Sequence, residues 1–159
     1  DHVPAADLPQ LQAEGVSARL ILGTAWGEKA PVRTASEMFY ADVVLAPGAR
    51  VPLPDTHEDR GAYVVSGAVE QAGRRFEAGQ MMVFRPGDRI TVAAGERGAR
   101  LMILGGATFP GPRYIWWNFV ASSRERIEQA KAEWRAENWG KGRFDLPVDD
   151  RDEHIPLPG

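Results

Sequence analysis

The sequence predicts a mainly β domain followed by one amphipathic α-helix. Three observations carry this. Short β-prone runs recur from Val16 to Leu104, each closed by Gly or Pro; that stretch has no helical period; and from Ser122 onward apolar residues fall at i, i+3 and i+7 instead. Runs of strands with Gly/Pro punctuation point to a sandwich or barrel rather than to alternating α/β units.

In chain order, residues 1–15 are rich in Pro, Ala and acid and read as a linker or N-terminal arm. Val16 to Leu22 is the first strand, Phe39 to Leu45 the second, and the proline-flanked Val51 to Pro54 suits an edge. Ala62 to Val65 stops at Ser66-Gly67, Ala68 to Gln71 is broken by Ala72-Gly73, and Arg74 to Glu77 follows. Met81 to Phe84 is closed by Pro86-Gly87-Asp88, since proline fixes φ and glycine tolerates positive φ. Arg100 to Leu104 completes the sheet, so the barrel is expected to occupy 16–121.

The helix is expected over 122–140. Ser122-x-x-Glu125 reads as a capping box, Ile127, Ala130 and Trp134 share one face, and Trp139-Gly140 ends it. Residues 141–159 form a charged, proline-rich tail that Phe144, Ile155 and Leu157 can pin to a surface, with His154 solvated.

Composition narrows the function classes. At 159 residues, 43% hydrophobic and 26% charged, this is one ordinary globular domain with a tail. A net charge of −3 without a basic block argues against direct nucleic-acid binding. There is no cysteine, hence no disulfide and no thiolate metal site, which fits a cytoplasmic protein. No apolar run approaches the ~20 residues of a membrane span. The chain starts at Asp1 rather than Met, as expected of a piece of a longer protein.

The order Tyr63-Val64-Val65-x-Gly67, then Gly79, then Pro86-Gly87-Asp88 resembles the two motifs of the cupin fold, a double-stranded β-helix or jelly-roll barrel. That resemblance implies where a metal would be held. Metal-binding cupins carry His-x-His and Glu in the first motif and His in the second. Here the Glu position falls on Arg60, the paired His positions on Pro54 and Thr56 (or Leu53 and Asp55 with the register slipped by one), and the last His on Ile90. Arg and Ile cannot ligate a cation, so neither metal ligands nor catalytic residues are expected in this chain. A second alignment, of His57-Glu58-Asp59-Arg60-Gly61 with the His-x-His-Arg-Gly string of a related metal-binding domain, makes His57 and Asp59 ligand candidates. Tyr63 then follows Gly61 too soon and no second-motif histidine completes the set, so an exposed charged turn is preferred.

The vacated cavity would be lined by Thr56, Arg60, Ala62, Val64, Ile90 and Val92. Arg60 is expected to pair with an acid such as Asp55 or Asp88, the other reading being an anionic ligand in that cavity. Tyr114, Trp116 and Trp117 are expected to pack, not to stack on a ligand, because only Arg113 interleaves with them.

Gly111-Pro112-Arg113-Tyr114-Ile115-Trp116-Trp117-Asn118-Phe119-Val120, then Ser122-Ser123, Ile127-Glu128-Gln129-Ala130 and His154-Ile155-Pro156-Leu157-Pro158, resemble the C-terminal signature of the pirin family. Gly23, Gly27, Pro31-Val32 and Tyr40-Ala41-Asp42 match the start of the same half. Pirins are bicupins, and the resemblance implies an N-terminal cupin holding iron or another divalent metal, absent from this chain. The family is associated with quercetin 2,3-dioxygenase activity and, in some members, with transcriptional co-regulation. The expected role is therefore a non-catalytic domain that completes a bicupin, without a cofactor of its own, partnered by the N-terminal cupin or by a second copy. A ligand- or partner-binding module using the vacated cavity is the alternative, and an autonomous metal-dependent dioxygenase the third reading.

Overall fold

The computed structural model describes residues 2–159, and the chain divides into two compact units between Thr108 and Phe109. The first unit is antiparallel throughout. Its strands are β1 (Gln10–Ala13), β2 (Val16–Ala25), β3 (Glu28–Lys29), β4 (Met38–Leu45), β5 (Arg50–Pro52), β6 (Asp59–Gln71), β7 (Arg74–Glu77), β8 (Met81–Phe84) and β9 (Thr91–Gly106). The hydrogen-bonded order is β1-β2-β4-β9-β6-β7, with β3 on β2, β5 on β9 and β8 on β6. This hydrogen-bonded path ends at β1 and β7 and does not close on itself. The expected linker also contains structure: Gln10–Ala13 pairs with Val16–Arg19 as a hairpin turning at Glu14-Gly15.

Two strands are longer than their glycines suggest. Ser66-Gly67 does not end a strand; β6 runs through it, with register shifts on β9 between Val64 and Ser66 and between Gly67 and Val69. Gly67 takes φ +73°, and a Cβ there would lie 2.2 Å from the Gly98 carbonyl oxygen, so the glycine forms a bulge against a neighbouring backbone. β9 likewise continues through Gly95 and Gly98, giving each half a different neighbour: Thr91–Ala93 pairs with β5, and Ala99–Gly106 with β4. True reversals occur at Trp26-Gly27 and Ala72-Gly73, where both residues of each pair have positive φ, the requirement of a type I′ hairpin.

Alternation sorts β4 cleanly. Phe39, Ala41, Val43 and Leu45 point inward and are buried, meeting Leu20 of β2, Ala62 and Val64 of β6, and Val92, Leu101 and Ile103 of β9 in one core. Arg60 is in phase with Ala62 and Val64, which makes it a buried charged residue, 4% exposed.

The second unit holds a two-stranded ribbon, β10 (Tyr114–Trp116) and β11 (Phe119–Ala121), and helix α1 (Arg124–Arg135). The helix is shorter than expected at both ends. Its N-cap is Ser123, whose hydroxyl accepts from the Arg126 amide at 3.3 Å, so Arg126 and not Glu125 occupies the third position and the Ser122–Glu125 capping box does not form. Glu137 takes φ +53°, a left-handed residue that stops the helix before Trp139. Ile127 and Ala130 are buried against Phe119, with Trp134 half-buried beside them, as the spacing requires. Phe144 and Leu157 join this cluster from the tail. No helix among the described residues is long and apolar enough to cross a membrane.

Candidate functional site

One row of paired residues crosses the sheet at the end where the first motif begins: Gly23, Phe39, Gly105, Arg60 and Phe84, on β2, β4, β9, β6 and β8. Gly105 is required here, because a Cβ would lie 2.5 Å from the Phe39 ring. Phe39 is fully buried, and His57 stacks on its ring at 6.2 Å between centroids and 17° between planes.

Arg60, beside this stack, does not pair with Asp55 or with the Asp88 carboxylate. Its guanidinium donates to three backbone carbonyls: Nη1 to Pro54 at 3.4 Å, and Nη2 to Arg85 at 3.4 Å and to Asp88 at 2.6 Å. The fork of donors suits carbonyls converging from two loops better than it suits one carboxylate. The Arg60 side chain therefore ties the loop before β6 to the Pro86-Gly87-Asp88 turn after β8. Its Nε is buried without a partner.

The six residues expected to line a cavity separate. Ala62, Val64 and Val92 are fully buried and Ile90 is 5% exposed, all within the packed core. Thr56 is exposed and, with His57, lines an open cavity of about 930 Å³ walled by Gly23, Thr24 and the segment 29–38. Lys29 and Arg33 supply two cations to this cavity and Glu37 one anion. The space is walled mainly by the segment between β3 and β4, while Ala62, Val64, Ile90 and Val92 belong to the packed core.

These residues do not fit a divalent cation. The guanidinium at position 60 is a donor already spent on carbonyls, Ile90 is apolar, and Thr56 faces the outer cavity. Asp59 of the second alignment is exposed and accepts from the Thr108 hydroxyl at 2.9 Å. His57 stacks on Phe39, and no group of three His, Asp or Glu side chains placed to hold a metal lies among the described residues.

In the second unit, aromatic packing is as expected but its cations were missed. Arg124 lies 5.2 Å from the Tyr114 ring centroid and Lys131 4.5 Å from that of Trp116, so helix side chains cap those rings. They are distant in sequence and meet the ribbon only once the helix packs. His154 is not solvated: its ring lies 5.0 Å from Trp139, and Nε2 reaches Glu137 at 3.4 Å. The tail is held there by Trp134 Nε1, which donates to the Ile155 carbonyl at 2.9 Å.

The profile of the pirin C-terminal cupin domain matches residues 40–140. The chain belongs to the pirin family. Among relatives in this family, a pirin-like protein of Caulobacter vibrioides is 46% identical over 157 residues, covering 99% of this chain and 52% of its own length. Human pirin is 27% identical over 136 residues, covering 81% and 47%. A crystal structure of quercetin 2,3-dioxygenase from Acinetobacter baumannii superposes with a TM-score of 0.80 at 23% identity, covering 96% of this chain and 50% of that one. The cupin fold is thereby shown. The chain spans about half the length of the relatives it matches.

Proposed function

We propose that this chain is a non-catalytic cupin that binds no metal and completes a two-cupin pirin, whose other half carries the divalent metal and any quercetin 2,3-dioxygenase activity. The observation that supports this is the buried Arg60 guanidinium, donating to Pro54, Arg85 and Asp88 at a position where metal-binding cupins need a ligand. A cation placed beside it would meet a like charge, and the guanidinium itself offers no lone pair. What the domain supplies is a rigid fold: Arg60 fixes the loops at one end of the sheet, and the ribbon and helix carry their own aromatic cluster. The absence of cysteine supports a cytoplasmic setting.

Oxygen uptake with quercetin tests this. The isolated chain supplied with Fe²⁺, Ni²⁺ or Cu²⁺ is expected to show no turnover above the metal alone. Turnover that disappears in His57→Ala would contradict the proposal.

A second reading, a small-ligand module, is favoured by one feature, the 930 Å³ cavity with Lys29, Arg33, Thr56 and His57 in its wall. Its mixed charge suits a polar ligand with an anionic group. Titration with quercetin followed by amide chemical shifts separates the two: shifts confined to residues 29–38, 56 and 57 support the second reading, and unchanged spectra the first.

A further inference from the structure

The second unit contains a motif that the proposed function does not use, His154-Ile155-Pro156-Leu157-Pro158. Its residues dictate a conformation. Each proline holds its own φ at about −65°. Ile155 and Leu157, each followed by proline, are pushed out of the helical region into extended or polyproline II backbone. A polyproline II chain turns once in about three residues, so positions three apart share a face. Burial follows that period: His154 and Leu157 are half-buried, while Ile155, Pro156 and Pro158 are exposed.

The helix and the turn after it meet this face with matching groups. The Trp139 ring lies 5.0 Å from that of His154. Leu157 packs on the cluster of Phe119, Ile127 and Ala130. Between these two anchors, Trp134 Nε1 donates to the Ile155 carbonyl at 2.9 Å. Aromatic-lined grooves read proline-rich peptides by the same chemistry. Flat rings receive the side chains of one face, and a donor takes a carbonyl that polyproline II, having no internal hydrogen bonds, leaves free. The Glu137 carboxylate, 3.4 Å from His154 Nε2, adds a polar end. The hold is slight: one indole hydrogen bond, one His–Glu contact and two half-buried side chains. Residues 154–158 lie on this surface as a ligand does.

We propose that Trp134, Trp139 and Glu137 form a recognition surface for proline-rich peptides, filled in this chain by its own 154–158 segment. A peptide of another chain with the pattern His-x-Pro-Leu-Pro takes the same place when that segment lifts. The segment is thus an internal competitor. A tethered ligand acts at an effective concentration of about a millimolar, so a peptide in trans binds well only when the segment's own grip is weakened. This inference goes beyond the proposed function, which concerns the sheet of the first unit.

Titration of the 159-residue chain with a synthetic peptide of residues 151–159, followed at the Trp134 indole N–H by NMR, tests it. Leu157→Ser removes one anchor from the resident segment. That variant is expected to bind the peptide with a dissociation constant of about 100 μM. Wild type should bind at least ~10-fold more weakly, because its own segment competes. A peptide carrying Pro156→Ala and Pro158→Ala should bind the variant about 5-fold less tightly, having lost its preset backbone. His154→Ser leaves Leu157 in the cluster and serves as a second weakened segment if Leu157→Ser loses α1 by circular dichroism. No binding to a folded variant at about 1 mM peptide would overturn the proposal. So would equal affinity of wild type and variant, or equal affinity for the two peptides. Loss of α1 in both variants would overturn it as well, since the segment would then be core and not ligand.

Discussion

The Arg60 guanidinium donates to the backbone carbonyl of Asp88 at 2.6 Å, the shortest of three carbonyl contacts made by one buried side chain. Residue 60 thus performs by hydrogen bonding what a metal ligand performs in related folds, joining the loop before β6 to the turn after β8. Hydrogen bonds from a charged donor are about twice as strong as neutral ones. Replacing Arg60 by Met, which keeps much of the volume, leaves the Pro54, Arg85 and Asp88 carbonyls without their donor. Arg60→Met is expected to cost roughly 2–4 kcal/mol in urea unfolding. A loss within about 0.5 kcal/mol, the level of an ordinary surface substitution, would show that the carbonyls find water instead.

The bulge at Gly67 makes a sharper prediction than its sequence did. Gly67 and Gly87 both have positive φ, but only Gly67 has a backbone oxygen, that of Gly98, where a Cβ would go; Gly87 has nothing within 4 Å. Gly87→Ala should cost about 1 kcal/mol from backbone strain alone. Gly67→Ala should cost roughly 3 kcal/mol or more, because β9 must also move. Equal costs in chemical denaturation would show that the Gly98 segment yields freely.

Trp134 is the hub of the second unit, with ring centroids of Trp117, Trp139 and Phe144 at 5.6, 5.1 and 5.2 Å. It is half-buried, so Trp134→Ala should cost about 2–4 kcal/mol, under the figure for full burial. Trp134→Phe keeps an aromatic ring and loses the bond to the Ile155 carbonyl, about 1 kcal/mol. Far-UV circular dichroism against denaturant reads both. Identical midpoints for Ala and Phe variants would mean that the ring contacts contribute nothing.

Glu125 makes a pH-dependent contribution at the start of α1. Its carboxyl is held below the ordinary carboxylate range, first by a hydrogen bond from its own backbone amide and then by the Ser123 hydroxyl. A folded pKa below the unfolded one means stability present above the unfolded pKa and lost as pH falls through the folded one. Wild type should therefore exceed Glu125→Gln in helix stability near neutral pH and converge with it in strongly acid solution. A gap that is constant across the titration would rule out this assignment.

The sequence made the strand-rich architecture legible because Gly and Pro punctuate it, and the reversal at Ala72-Gly73 lies where expected. It misled at Gly67, because the same residue that makes a turn also makes a bulge, and only the partner strand decides between them. Gln10–Ala13 was hidden by its polar composition: an edge strand paired on one side needs little apolar surface. At the candidate site, the alignment could place Arg60, Thr56 and Ile90 opposite the metal ligands of other cupins, since that needs only counting. It could not foresee that Arg60 would be satisfied by carbonyls, which are present at every position and so leave no trace in sequence. His154 and the cations over Tyr114 and Trp116 depend on packing between distant segments, which no local pattern encodes.

The central claim is that this cupin's interior has exchanged a metal for side-chain packing and one guanidinium. Elemental analysis of the purified chain, repeated after incubation with Fe²⁺, Ni²⁺, Zn²⁺ and Cu²⁺ and desalting, tests it most directly. The account predicts far less than one equivalent of any of these metals per chain, with no difference between wild type and His57→Ala. Close to one equivalent retained by wild type and lost in His57→Ala would contradict it.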